Sequence, residues 1–346
     1  MSLKAYVPGE QPKDKKYIKL NTNESPYPPS DKVLSSIKRS DVEDLRLYSD
    51  PESALLKEKI AELYGVKKSN VFLSNGSDDI LNFAFMSLSE HGAAFPDITY
   101  GFYKVFAELH KVDAKIIPLK DDFSIDCRDY LNIGRTIFIA NPNAPTGLTL
   151  PVLEIEKIVS TNRDNLVVVD EAYVDFGGES ALPLINKYDN LLVVRTFSKS
   201  RSMAGARLGF AFASEAIISD LETIKYSTNP YNINRLTNIA GIAAIESDSY
   251  FTENCKRIIA TREKTVFELE GLGFKVIPSK SNFIFAKSDE IGGEELYYKL
   301  KENGVLVRHF TFDRIKDYNR ITIGSEEEMD IFISKVKTIL SDLRKE

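Results

Sequence analysis

Three short runs, Thr136–Ala140, Leu166–Val169 and Leu191–Val194, are almost entirely apolar. A strand with one wet face would alternate polar and apolar residues. Runs like these, apolar at successive positions, predict strands buried on both faces. Between and around them lie segments of helical periodicity, Glu52–Tyr64, Asp79–Leu88, Tyr103–His110 and Leu153–Ser160. Shorter extended pieces stand at Val71–Leu73, Ala93–Phe95 and Ala114–Pro118. Strand alternating with helix predicts an α/β fold, a mostly parallel central sheet covered by helices. Sheets of this kind bind ligands in the crevice at the carboxyl ends of their strands. Polar residues directly after each strand are therefore where chemistry should be sought.

After Ser214 the pattern turns helical, with Tyr250–Glu270 the longest candidate and Gly271 and Gly273 ending it. A smaller α+β unit is expected beyond. Its strands fall near Lys275–Ile277, Phe283–Phe285, Val305–Val307 and Ile321–Ile323, with helices from Glu294 and Glu326. At the other end, Pro8, Pro12, Pro26, Pro28 and Pro29 deny a helix interior and predict an extended arm. The expected division is an arm over 1–30, a large domain over 31–245 and a small domain over 246–346. A length of 346 residues suits two domains, and 43% hydrophobic residues suffice for a large core.

Composition narrows the function. Lys plus Arg number 45 against 51 Asp plus Glu, and no basic block occurs, which argues against nucleic acid or an anionic membrane as partner. Cys127 and Cys255 are too few for a disulfide scaffold and fit a reducing cytoplasm. His91, His110 and His309 are scattered and form no metal motif, so no metal is expected. The start Met1-Ser2-Leu3-Lys4 lacks the apolar stretch of a signal peptide, and no apolar run approaches the ~18 residues needed to span a bilayer. No GxGxxG follows an early strand and no GxxxxGK[ST] occurs, which argues against a nucleotide-dependent oxidoreductase.

Four polar clusters follow strands: Ser74–Asp79, Asn141–Gly147, Asp170–Tyr173 and Arg195–Lys199. Singly, each reads as an ordinary cap, turn or solvated loop. Their order and spacing, Asp170 to Tyr173 to Lys199 to Arg207, together resemble the fold-type-I pyridoxal-phosphate aminotransferases. The stretch Ser198–Gly209 carries that family's lysine motif. Leu20–Tyr27, Tyr48–Pro51, Asn75–Asp79, Thr99–Tyr103, Leu306–Arg308 and Asn319–Gly324 are similar to the histidinol-phosphate aminotransferases. The resemblance runs from about residue 18 to 340.

The resemblance implies a set of roles. Pyridoxal phosphate carries the hard chemistry and the protein orients and tunes it. Lys199 would join the cofactor aldehyde as a Schiff base and then move the substrate proton. Asp170 would pair with the pyridine nitrogen, Tyr173 would donate to the phenolate oxygen, and Tyr100 would stack on the ring. Gly76, Ser77 and Asp78, with Ser198 and Arg207, would hold the phosphate at a helix start. Tyr48 would reach the neighbouring subunit's cofactor, which implies a homodimer with a shared site. Arg320 and Arg308 would bind the substrate anion, with Asn23 and Tyr27 closing over it. One departure is Ala144, where many relatives carry asparagine before Pro-Thr-Gly; either Tyr173 carries that contact alone or Asn143 shifts toward it. The implied activity is ping-pong amino transfer between histidinol phosphate and 2-oxoglutarate in histidine biosynthesis. Threonine-phosphate decarboxylation and aromatic-amino-acid transamination on the same scaffold are the alternatives. A non-catalytic binding module would not need an imine-forming lysine.

Overall fold

A computed structural model of the chain describes residues 6–345. The first five residues of the expected arm, including the start read for a leader, lie outside them. The arm carries the short strand β1 (Ile18–Lys19). The large sheet contains β2 (Val71–Ser74), β3 (Ala93–Pro96), β4 (Ala114–Ile117), β5 (Thr136–Ala140), β6 (Val167–Asp170), β7 (Leu191–Thr196) and β8 (Gly209–Ala213). Their spatial order is β2-β8-β7-β6-β5-β3-β4. All run parallel except β8, which is antiparallel to both neighbours.

The period of two sorts the apolar runs between two cores. Ile137, Ile139, Val167, Val169, Leu191 and Val193 pack on one face. Phe138, Ala140, Val168, Leu192 and Val194 pack on the other. Helices cover both faces, among them Ser77–Ser87, Phe102–His110, Val152–Thr161 and Arg235–Ile245. By the same alternation Asp170 falls on the face of Val168, where Tyr103 is also buried.

β8 was not expected. Its Gly-Phe-Ala-Phe-Ala sequence is poor in β-branched residues. The alternation of large and small side chains nonetheless fits the gap: Phe210 and Phe212 fill one core, and Ala211 and Ala213 the other.

The helix Asp248–Gly271 leads to a second sheet. Here β9 (Phe274–Ile277) and β10 (Phe283–Ser288) come first. The single strand expected near Val305–Val307 is divided into β11 (Val305–Leu306) and β12 (Arg308–His309), and β13 (Asn319–Thr322) follows. The antiparallel order is β12-β13-β10-β9, while β11 pairs with β1. The arm is thereby stitched to the small unit, and Leu20 is buried in its core. Arg262 of the long helix is nearly inaccessible and donates to the carbonyls of Phe176 at 3.0 Å and Ser281 at 2.7 Å. That side chain ties the loop after β6 to the turn before β10.

At the sheet edge, Ser74 pairs with Gly209 and Gly209 with Thr196. A Cβ on Gly209 would lie 2.3 Å from the Ser77 nitrogen and 2.4 Å from the Gly76 carbonyl carbon. Both are backbone atoms with no freedom to retreat. Gly209→Val is therefore expected to cost about 2 kcal/mol or more, read as a lower urea midpoint at unchanged m value. An unchanged midpoint would refute the close approach.

Candidate active site

Strands β2, β3, β5, β6 and β7 end at one edge of the sheet. Because β8 runs the other way, it begins there, which brings Arg207 to the same place. The loops after these strands line a pocket open to solvent. Its wall contains Ser77, Asp78, Tyr100, Asp170, Tyr173, Ser198, Lys199 and Arg207. Gly76 is in contact just behind it. Gly76 has φ +87°, and a Cβ there would meet the Arg207 guanidinium at 2.5 Å.

One end of the pocket is built for an anion. The helix Ser77–Ser87 starts without a side-chain cap, so its first N–H groups keep their donor capacity. Arg207 reaches Asp78 at 3.0 Å and the Ser198 hydroxyl at 3.4 Å. Asp78 also accepts from the Tyr100 hydroxyl at 2.6 Å. Burial first, and then the Asp78 charge, push the Tyr100 phenol well above its usual pKa. Tyr100 therefore stays a neutral aromatic wall.

The other end holds Asp170, 5% exposed. One carboxylate oxygen accepts from the Ala172 N–H at 3.1 Å and the other from the Tyr103 hydroxyl at 3.1 Å. No protein cation pairs with it among the described residues. Burial raises its pKa to about 7, against the two hydrogen bonds that favour the charged form. Tyr103 stood in a motif recognised from sequence, but nothing there revealed that its hydroxyl reaches across 67 positions to Asp170. Next door, Glu171 is buried with Arg195 at 2.9 Å, and Arg195 reaches Asp175 at 3.1 Å. Asp175 in turn accepts from Ser200, beside Lys199. This network fixes the lysine loop against the loop after β6.

Lys199 projects into the pocket, its Nζ 3.4 Å from the Thr22 carbonyl and 5.6 Å from the centre of the Tyr173 ring. The Tyr173 hydroxyl accepts from the Asn23 amide at 2.9 Å, which leaves its own hydrogen to donate. Asn23 is held in turn by Thr322 and Asn282.

A second cavity adjoins the first and shares Tyr100, Tyr173 and Lys199 among others with it; Arg308, Arg320, Asn23 and Asp97 are also in its wall. Arg308 and Arg320 sit directly opposite one another on β12 and β13. Like charges so placed repel. Their hydrogen bonds run to arm carbonyls, Arg308 to Val7 and Pro8 and Arg320 to Asn21. Among the described residues neither pairs with a carboxylate. Burial lowers the Arg320 pKa, and its Nε has no partner.

Three candidates stand elsewhere. Asn143 does not line the pocket. Its side chain is held by the Ile98 carbonyl at 3.0 Å, Thr146 at 3.0 Å and Thr99 at 2.8 Å, and so braces the turn. Tyr27 lines neither cavity; Arg257 stacks on it at 4.1 Å. Tyr48 is 78% exposed and stacked on Tyr231 at 4.4 Å, away from this chain's own pocket. Thr22 and Glu24 of the arm, given no role from sequence, do line the first pocket.

The profile of aminotransferase class I and II matches residues 15–336. A histidinol-phosphate aminotransferase of Brachyspira hyodysenteriae is 55% identical over 99% of this chain and 97% of its own length. One from Clostridium botulinum is 50% identical over the same shares. The chain belongs to the histidinol-phosphate aminotransferase family. The crystal structure of the enzyme from Sinorhizobium meliloti in complex with pyridoxal-5'-phosphate superposes with a TM-score of 0.84 at 25% identity, covering 95% of this chain and 92% of that one.

As in a family dependent on pyridoxal phosphate, the donor set here fits that group. A guanidinium, a hydroxyl and a helix start converge at one end, where Gly76 leaves room that a Cβ would fill. An unpaired buried carboxylate stands at the other, and a lysine and a tyrosine hydroxyl lie between. No helix among the described residues is long and apolar enough to cross a membrane.

The Asp170 carboxyl is raised from 3.8 to about 7. Its contribution to stability is complete below its unfolded value and is lost as pH rises through 7. A cation on the cofactor ring would relieve that loss. Adding pyridoxal phosphate to the cofactor-free protein should therefore raise the Tm more at pH 8 than at pH 5. Equal increments would contradict this placement of the charge.

Proposed function

We propose that this chain transfers an amino group between glutamate and the oxo partner of histidinol phosphate in histidine biosynthesis. The observation that carries the substrate reading is the Arg308–Arg320 pair. Two guanidiniums face each other across adjacent strands beside the lysine pocket, and among the described residues neither forms an ion pair with a carboxylate. A phosphate ester offers the charge and the oxygens to bridge them. The closely similar relatives bear the name of this activity. That favours it over threonine-phosphate decarboxylation or aromatic-amino-acid transamination.

Bound in the pocket, pyridoxal phosphate supplies an electron sink for the substrate's α-carbon. The chain's residues do the rest. Ser77, Asp78, Ser198 and Arg207, with the Gly76 turn, hold the cofactor phosphate. Asp170 holds a proton on the ring nitrogen by its unpaired charge. Tyr100 covers the ring, and Tyr173 donates to its phenolate oxygen with the hydrogen that Asn23 leaves free. Lys199 would anchor the cofactor, and its neutral amine would take the proton from the substrate's α-carbon and deliver it to the cofactor carbon. Arg320 and Arg308 orient the substrate anion, and Asn23 backs the cavity.

In the same reading the chain divides into an arm over 1–30, a large domain over 31–245 and a small domain over 246–346. It works as a cytoplasmic homodimer. The exposed Tyr48, stacked on Tyr231, supports a role in the partner subunit's pocket.

Glutamate and histidinol phosphate should each convert the bound cofactor in single-turnover absorbance measurements. Phenylalanine should be slow, and threonine phosphate should release no carbon dioxide. Lys199→Ala should lose the visible cofactor band and several orders of magnitude in turnover. Arg320→Ala should lower kcat/KM for histidinol phosphate by roughly tenfold or more, and for dephosphorylated histidinol far less. Equal losses on the two substrates would remove the phosphate assignment.

A further inference from the structure

Tyr103 is wholly buried in an aromatic cluster. Its ring lies 5.7 Å from Phe138, 5.9 Å from Phe95 and 6.2 Å from Phe85. A phenylalanine would satisfy that packing. The hydroxyl needs a reason, because burying one without a partner is costly. It has one acceptor, the Asp170 carboxylate at 3.1 Å. The same ring stands edge-on to Tyr100, at 5.7 Å and 86°. One side chain thus braces two walls of the cofactor pocket, the carboxylate end and the aromatic face.

We propose that Tyr103 is a positioning residue for the cofactor, fixing the ionised Asp170 carboxylate in the orientation that receives the ring cation. The inference rests on the cofactor roles given above for Asp170 and Tyr100. Asp170 has two donors, the Ala172 N–H and this hydroxyl. The backbone donor is fixed by the chain, so Tyr103 is the side chain that sets the second oxygen. Both donors favour the charged form, and burial opposes them. Removing the hydroxyl leaves a buried carboxylate with one donor, which favours protonation and frees the carboxylate to turn.

The test uses the full-length protein and pyridoxamine phosphate, which makes no covalent bond to Lys199. Its Kd is followed by fluorescence between pH 5 and 9. Tyr103→Phe should weaken binding roughly tenfold and shift the acid-side loss of affinity to higher pH. Tyr130→Phe is the control for a merely structural effect, since that buried hydroxyl has no partner; it should change neither quantity. In an Asp170→Asn background, Tyr103→Phe should add nothing. The proposal is overturned if Tyr103→Phe binds with unchanged Kd and pH profile. It is also overturned if the control shows the same shift, or if the effect persists without the carboxylate. Failure of the unsubstituted protein to bind would instead refute the cofactor reading beneath it.

Discussion

A carboxylate buried at the end of a central strand, with no cation paired to it among the described residues, is the constraint on which this site depends. Asp170 lies inside a wall of aromatic and apolar side chains, and only two hydrogen bonds offset its desolvation. The adjacent Glu171 is also buried, yet it is matched by Arg195, Ser180 and the Ala181 amide. The contrast sets a structural ion pair beside a carboxylate without a protein counter-charge among the described residues, as the proposed cofactor role requires.

The sheet makes this arrangement possible. Parallel strands deliver their carboxyl ends to one edge, and the single antiparallel strand β8 brings Arg207 to that edge from the opposite direction. The closeness of Gly209 to the Gly76–Ser77 backbone sets the start of the helix Ser77–Ser87 against the start of β8. On the far side, the small sheet presents two arginines of one charge, held by carbonyls of the arm, to the same space. Their mutual repulsion would be offset by an anion bound between them, as the proposed substrate role requires.

Much of this was legible in the amino-acid order because its causes are local. Strands β5, β6 and β7 declare themselves through apolar runs that serve two cores at once. Lys199, Asp170 and Arg207 stand at family spacings, and the pocket does bring them together. What escaped was tertiary. The opposition of Arg308 and Arg320 depends on strand register, and the division of the run at Val307 into two pairings depends on where the arm lies. Asn143 was open to either role until its three hydrogen bonds accounted for its amide. Tyr27 was drawn off by a cation on the long helix. The hydroxyl of Tyr103 became meaningful only once helix Phe102–His110 had packed on the face that carries Asp170. Strand β8, built from glycine, alanine and phenylalanine, owes its place to the gap it fills rather than to its own propensity.

The central claim is that the amine of Lys199 and the carboxylate of Asp170 address one cofactor from the same pocket. Borohydride reduction of the cofactor-loaded protein, followed by peptide mapping, tests it most directly. The account predicts one pyridoxyl group per chain, carried on the peptide containing Lys199, and a markedly lower yield in Asp170→Ala. Label on another lysine, or an equal yield without the carboxylate, would contradict it.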